Sequence, residues 1–155
     1  MTALSVNGRA HRIRVAGTET LLDVLREQLG LTGAKRGCNQ GVCGSCTVLI
    51  DGMTARACLC LAGLVGDSAV TTVEGLGSDG QLSPVQQAFV DTGAIQCGFC
   101  MPGMVVAATA LLAENPRPSD DQIREGLAGN LCRCSGYVKA IEAVRKAATT
   151  EGATR

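Results

Sequence analysis

Residues 37–46 read Gly-Cys-Asn-Gln-Gly-Val-Cys-Gly-Ser-Cys, a stretch too rich in glycine and cysteine to be anything but a loop. Its three cysteines and a fourth one downstream follow the spacing C-x4-C-x2-C…C, which is typical of plant-type [2Fe–2S] sites. This first set comprises Cys38, Cys43, Cys46 and Cys58. Gly37, Gly41 and Gly44 suit such a loop, because backbone N–H groups must approach the sulfurs closely and offset the negative charge of the cluster. A structural zinc site is the alternative, although zinc sites usually pair two C-x2-C units.

A second set of cysteines lies in the other half of the chain. It combines a C-x2-C with a C-x-C that follows 31 residues later. Its members are Cys97, Cys100, Cys132 and Cys134. Both pairs are predicted to lie at helix starts, where free N–H groups and the positive end of the helix dipole suit an anionic cluster. The spacing alone is equally compatible with zinc.

The composition limits the classes of function that the chain can serve. Its 155 residues carry 14 basic and 14 acidic side chains. The chain therefore lacks the excess of basic residues that is typical of proteins that bind nucleic acid or an anionic membrane. The longest apolar stretch, Met101–Ala113, is too short to span a bilayer. The N-terminal residues lack the pattern of a secretory signal, so we expect a cytoplasmic, reducing location. Nine cysteines in such a location favour metal binding over disulfides.

Hydrophobic periodicity and turn signals predict an α+β fold in two domains. In residues 1–76, the pairs Asn7-Gly8 and Asp51-Gly52 indicate hairpins, and Thr20 begins a capping box for one helix. The glycine-rich segment Glu74–Leu82 is interpreted as a linker. Residues 77–155 are predicted to form four helices, and the short loops between them favour a four-helix bundle. Their starts are marked by Ser83-Pro84, Pro102, Ser119 and Gly136.

Three motifs in order resemble a known family. They are GCNQGVCGSCTV at residues 37–48, QCGFCMPG at 96–103 and GNLCRCSGY at 129–137. Together they resemble the small iron–sulfur subunit of the molybdenum hydroxylases, the family of xanthine dehydrogenase, aldehyde oxidoreductase and carbon monoxide dehydrogenase. The resemblance extends from about residue 3 to residue 148, and residues 149–155 are interpreted as a polar tail.

The resemblance implies a ferredoxin-like β-grasp domain followed by the helical domain, with one [2Fe–2S] cluster in each. It further implies an electron-transfer subunit of a heteromeric complex, without a substrate site of its own. Molybdopterin would lie in a large partner subunit and FAD in a medium one. Electrons would pass from molybdenum through the second set and the first set to the flavin. Gln96 and Cys134 match positions that approach the pterin in this family.

Two points stay open from the residues themselves. Cys60 follows Cys58 by two residues, so strand periodicity cannot choose between the two thiols. The resemblance implies Cys58, because the family's ligand precedes a Leu-x-Leu stretch that Leu59 and Leu61 match.

The alternatives for the function are a free-standing two-cluster carrier and a zinc-stabilised interaction module. The low charged fraction of 18% favours a subunit buried in a complex over a diffusing carrier.

Overall fold

The structure is a computed structural model that describes residues 1–152, with a sheet in the first half of the chain and helices in the second. The strands are β1 Thr2–Val6, β2 Arg9–Ile13, β3 Thr47–Ile50, β4 Met53–Arg56 and β5 Ala69–Thr71. The helices are α1 Leu21–Asp23, α2 Pro84–Asp91, α3 Met101–Glu114, α4 Asp120–Leu127 and α5 Val138–Gly152. Residues 153–155, the end of the predicted polar tail, lie outside the described residues.

The five strands form one mixed sheet in the order β2-β1-β5-β3-β4. β1 and β5 run parallel and the other neighbours run antiparallel. Both predicted hairpins are present, since Val6 pairs with Arg9 and Ile50 pairs with Met53. The turn residues have positive φ values of 51° and 74° in the first hairpin and 50° and 82° in the second, as two-residue hairpin turns require.

The short helix α1 covers one face of this sheet. Thr20 and Asp23 form the predicted capping box, and the helix continues into a π-helical turn over Val24–Gln28. Buried aliphatic side chains from the helix and the strands, among them Leu4, Ile13 and Leu25, make the core of this half. Strand β4 stops at Arg56, where the chain turns.

The second half contains four helices that pack against one another around Phe89, Met104 and Leu127. Ser83 and Ser119 cap α2 and α4 through capping boxes, as their sequence signals predict. Helix α3 also packs across β3, so it joins the two halves. Within residues 1–152, none of the helices has the length and apolar character needed to cross a membrane.

The segment interpreted as a linker is folded against the first half of the chain at its start. Val73–Gly75 forms a 3-10 turn, and the Glu74 carboxylate accepts a hydrogen bond of 2.7 Å from the Gly33 N–H. From the other side, the side-chain amide of Gln86 in α2 donates to the Val73 carbonyl at 2.8 Å. The linker is therefore a contact region between the halves.

Candidate metal centres

The loop that precedes β3 surrounds Cys38 with backbone N–H groups. The N–H groups of Gln40, Val42 and Cys43 lie 3.4, 3.3 and 3.3 Å from the Cys38 sulfur. The Cys38 N–H in turn lies 3.4 Å from the sulfur of Cys43. Gly41 permits this path because its φ is 75°, a conformation that glycine adopts without strain. Amide groups aimed at sulfur are the arrangement that stabilises a thiolate or an anionic cluster.

The other two thiols of the first set are buried beside each other. Cys46 lies directly before β3 and Cys58 lies in the turn after β4, and both side chains are buried. The Ala57 N–H donates to the Cys46 carbonyl at 3.3 Å, which keeps the two segments together. The first set therefore consists of a pair in the loop and a pair at the edge of the sheet.

The second set is also arranged in pairs, each pair joining the two motifs. The sulfurs of Cys97 and Cys134 are 3.5 Å apart, and burial together with the neighbouring Cys132 thiol raises the pKa of the Cys100 thiol. Cys100 lies directly before α3, as predicted. The prediction that Cys132 and Cys134 lie at the start of a helix is wrong, because α5 begins only at Val138, after a turn.

Tyr137 shapes this turn around Cys132. It adopts a positive φ of 66°, and its hydroxyl accepts from the Cys132 N–H at 3.0 Å and donates to the Asn130 carbonyl at 3.1 Å. The N–H of Ser135 lies 3.4 Å from the Cys132 sulfur. A backbone N–H group therefore points at the Cys132 sulfur, as several do at the Cys38 sulfur in the first loop.

The protonation of the thiols differs within each set. Hydrogen bonds from the backbone N–H groups of Cys43 and Gln40 lower the pKa of the Cys38 thiol to about 6. Burial raises the pKa of the Cys46 thiol to about 11 and that of Cys100 to about 12. Burial also raises the pKa of Cys132, but hydrogen bonds from Ser135 outweigh it and bring the value to about 7. Metal ions must therefore displace protons from the buried thiols.

The pairing of thiols fits a two-iron cluster, in which each iron takes two cysteine ligands. Within residues 1–150, no three Cys, His, Asp or Glu side chains form a ready-made site for a single metal ion. All nine cysteines are free thiols. Cys60 is half-buried beside Cys58 and lies outside the four-thiol groups described above.

The two sets face a common open cleft of about 500 Å³. Cys38 and Cys43 line it from the first half, and the four cysteines of the second set line it from the other. Phe99 stands in the cleft with 45% of its surface exposed, next to Gly37. Gln96 and Cys134 are both exposed. Gln96 directly precedes Cys97 in the chain, and the Cys134 sulfur contacts the Cys97 sulfur.

Three residues that the sequence analysis did not single out lie between the two loops. Arg56, Thr47 and Asn130 connect the first cysteine loop to the segment before Cys132 through side-chain hydrogen bonds. Asn130 could have been noticed in the sequence because it belongs to the motif at residues 129–137. Its hydrogen-bond partners, Gly44 and Thr47, are visible only in the structure. Directly beside them, the Leu131 N–H donates to the Cys43 carbonyl at 2.8 Å.

Two family models match consecutive parts of the chain. One is described as a 2Fe-2S iron-sulfur cluster binding domain and matches residues 4–69. The other is described as a [2Fe-2S] binding domain and matches residues 72–145. Each match contains one of the two cysteine sets.

Similar proteins align over almost the whole chain. The nicotinate dehydrogenase small FeS subunit of Eubacterium barkeri is 48% identical over 144 residues, which cover 93% of this chain and 92% of that protein. Among solved structures, quinoline 2-oxidoreductase from Pseudomonas putida 86 superposes with a TM-score of 0.94 at 45% identity, covering 99% of this chain and 96% of the matched one. The aldehyde oxidoreductase of Desulfovibrio desulfuricans ATCC 27774 also gives a TM-score of 0.94 at 44% identity, covering 99% of this chain, which corresponds to 17% of that longer chain.

Proposed function

The chain belongs to the small iron–sulfur subunits of the molybdenum hydroxylases, and from this membership we propose that it relays electrons from a molybdopterin site in a large subunit towards a flavin or another acceptor. The observation that carries the proposal is that thiols of both cysteine sets line one cleft, two from the first set and all four from the second. When bound, each [2Fe–2S] cluster takes up or releases a single electron. We assign no substrate site to this chain.

The proposed ligands are the two sets of thiols, taken pair by pair. In the first set, Cys38 and Cys43 would hold one iron, and Cys46 and Cys58 would hold the other. In the second set, the pairs are Cys97 with Cys134 and Cys100 with Cys132. The contacts of Cys38 with Cys43 and of Cys97 with Cys134 support this assignment. In the other two pairs, burial together with the neighbouring thiol, Cys58 or Cys132, raises the pKa of Cys46 and of Cys100. The chain supplies the backbone N–H groups that offset the charge at Cys38 and Cys132.

We propose a domain boundary between residues 76 and 77. Residues 1–76 are assigned to the β-grasp, ferredoxin-like domain and residues 77–155 to the helical domain, in which the helices between Pro84 and Gly152 form a four-helix bundle. Each part has its own hydrophobic core and its own cysteine set, which supports the division. The 3-10 turn at Val73–Gly75 and its contact with Gln86 make the boundary a fixed junction.

The proposed partners are a large molybdopterin-binding subunit at the second set and a medium FAD-binding subunit at the first. Gln96 and Cys134 are exposed, so a pterin held by the large subunit can reach them. Exposed apolar side chains at both loops, which a partner would cover, support the same view. They are Val42 and Leu59 at the first loop and Phe99, Leu131 and Val138 at the second. A cytoplasmic location suits the nine free thiols.

Analysis of iron, sulfide and zinc in the purified chain tests the proposal. We expect about four irons and four sulfides per chain, and two electron paramagnetic resonance (EPR) signals after reduction. Cys132→Ala should remove one signal and about half of the iron, since it breaks one set and spares the other. Zinc without sulfide would overturn the electron-transfer function and support the interaction module.

A further inference from the structure

Asn130 reaches from the helical half into the first cysteine loop. Its side chain is 2% exposed, and its amide group donates to the Gly44 carbonyl at 3.0 Å and to the Thr47 hydroxyl at 3.2 Å. Gly44 lies between Cys43 and Cys46, while Asn130 lies two residues before Cys132. The two hydrogen bonds therefore connect backbone next to one cysteine set with backbone next to the other.

Arg56 makes a second connection through the same hydroxyl group. Its guanidinium donates to the Thr47 Oγ1 at 2.6 Å and to the Gly129 carbonyl at 2.7 Å. The Thr47 hydroxyl donates its own proton to the Gly44 carbonyl at 2.6 Å. Among the described residues, every buried side-chain nitrogen and oxygen has a hydrogen-bond partner, so this network is complete.

Glycines at the same junction leave no room for the loops to move closer. A Cβ atom on Gly44 would stand 2.3 Å from the Gly129 carbonyl oxygen, and one on Gly103 would stand 2.3 Å from the Gly44 carbonyl oxygen. Backbone contact thus limits approach from one side. The hydrogen bonds of Asn130 and Arg56 limit separation from the other.

We propose that Arg56, Thr47 and Asn130 form an interloop clamp that sets the distance and orientation between the two cluster sites. The proposal rests on the proposed function, because spacing matters only if electrons pass between the sites. The electron that one site releases is the electron that the other receives, and no bond forms or breaks. The three residues touch no ligand sulfur in this network, so they act as positioning residues.

The test measures the magnetic interaction between the two clusters in the full chain. At partial reduction each cluster gives its own EPR signal, and at full reduction the two spins split each other's lines to a degree that falls with the cube of their distance. Arg56→Met removes both donors and keeps a stem of similar shape. Thr47→Val removes the central hydroxyl, and Thr47→Ser keeps it as the conservative counterpart. Arg145→Met is the control, since Arg145 binds Asp120 within the helical half.

We expect Arg56→Met and Thr47→Val to keep both individual signals and to narrow the splitting, while Thr47→Ser and Arg145→Met keep the splitting of the unmodified chain. An unchanged splitting in Arg56→Met and Thr47→Val would overturn the clamp. Loss of a cluster in either variant would also overturn it, because the clamp sets spacing and does not supply ligands. If the unmodified chain lacks iron and sulfide, the proposed function itself fails, which is a separate result.

Discussion

At the scale of single residues, the surroundings of each thiol decide its chemistry. Cys58 is 5% exposed and follows Ala57, whose N–H donates to the Cys46 carbonyl, whereas Cys60 is half-buried and its carbonyl accepts from the Leu21 N–H at 2.7 Å. Both lie in a turn, where the Leu59 N–H donates to the Arg56 carbonyl at 2.9 Å. Strand alternation therefore does not apply to them, and the turn aims Cys58 at the first set.

We predict that Cys58→Ser perturbs the cluster of the first half and that Cys60→Ser leaves it intact. Cys60 acts as a small apolar side chain, so its replacement costs about 1 kcal/mol of folding free energy. EPR spectra of the reduced variants separate the two clusters and check this. Loss of the first signal in Cys60→Ser, with its retention in Cys58→Ser, would reverse the assignment. Retention in both would show that the thiols substitute for each other.

At the scale of elements, the cap of α1 also fastens the first cysteine loop. The Asp23 carboxylate accepts from the Thr20 N–H at 3.0 Å and the Thr20 hydroxyl at 2.6 Å, and its other oxygen pairs with the Arg36 guanidinium. These hydrogen bonds from Thr20 and then Arg36 lower the pKa of Asp23 to about 2. One carboxylate thus serves the helix cap and the segment that leads into Cys38.

Asp23→Asn should lower the free energy of unfolding by about 1 kcal/mol at pH 7, a modest value because the carboxylate is partly exposed. The pKa is lowered in the folded chain, so this stabilisation is present above the unfolded pKa of about 3.9 and is lost as the pH falls towards 2. Urea unfolding from pH 7 downwards checks it, with visible absorbance reporting cluster retention. Asp67→Asn, in the exposed turn before β5, makes the same charge change as a control. A pH-independent difference would contradict the prediction.

Helix α3 lies against the first cysteine loop at a position where only a hydrogen fits. Gly103 is buried, and an added Cβ would meet the Gly44 carbonyl oxygen at 2.3 Å. A backbone carbonyl beside two cysteines cannot move aside without shifting the loop. This contact is the reason that a glycine is tolerated inside a helix, where alanine is ordinarily favoured.

Gly103→Ala should therefore destabilise the chain by about 1–3 kcal/mol, against the gain that helix propensity alone gives. Gly63→Ala is the matched control, because its Cβ would meet Val15 at 3.5 Å, an ordinary contact. Chemical denaturation of both variants provides the comparison. Equal or greater stability in Gly103→Ala would contradict the close approach of α3 to the loop.

At the scale of the whole molecule, the chain has zero net charge and exposes apolar side chains at both cysteine loops. Both features are typical of a subunit whose surface is covered by partner proteins. A diffusing electron carrier usually presents a strong field of one sign. Phe99 and Leu131 project beside the second set with 45% and 50% of their surfaces exposed. Their burial in a complex would exclude water from the cleft.

We predict that the native chain co-purifies with a larger molybdopterin subunit. Leu131→Asp should weaken this association and retain about four irons, because it places a charge in the interface and leaves the ligands unchanged. Met53→Asp, at the exposed β3–β4 turn, serves as the control. Size-exclusion chromatography with metal analysis gives the readout. A monomer in native extracts without a redox partner would favour the free-standing carrier.

Features that depend on residues close together in the chain can be predicted from the sequence alone. Asn7-Gly8 and Asp51-Gly52 specify their hairpins because a two-residue turn needs positive φ at both positions. Ser83 and Ser119 specify helix starts because each cap bonds an N–H group three residues away. The motifs around the cysteines indicated the family for the same reason, because each motif consists of ligands a few residues apart in the chain.

How the two cysteine loops meet depends on contacts between residues far apart in the chain. Asn130 bonds residues that lie 86 and 83 positions away, and Arg56 bonds a carbonyl 73 positions away. Glu74 likewise reaches Gly33 across 41 positions and turns a glycine-rich stretch into a fixed junction. Local sequence has no pattern for such pairs, because their geometry follows from how α3 packs across β3. The relative position of the two thiol sets is therefore a property of the packed chain.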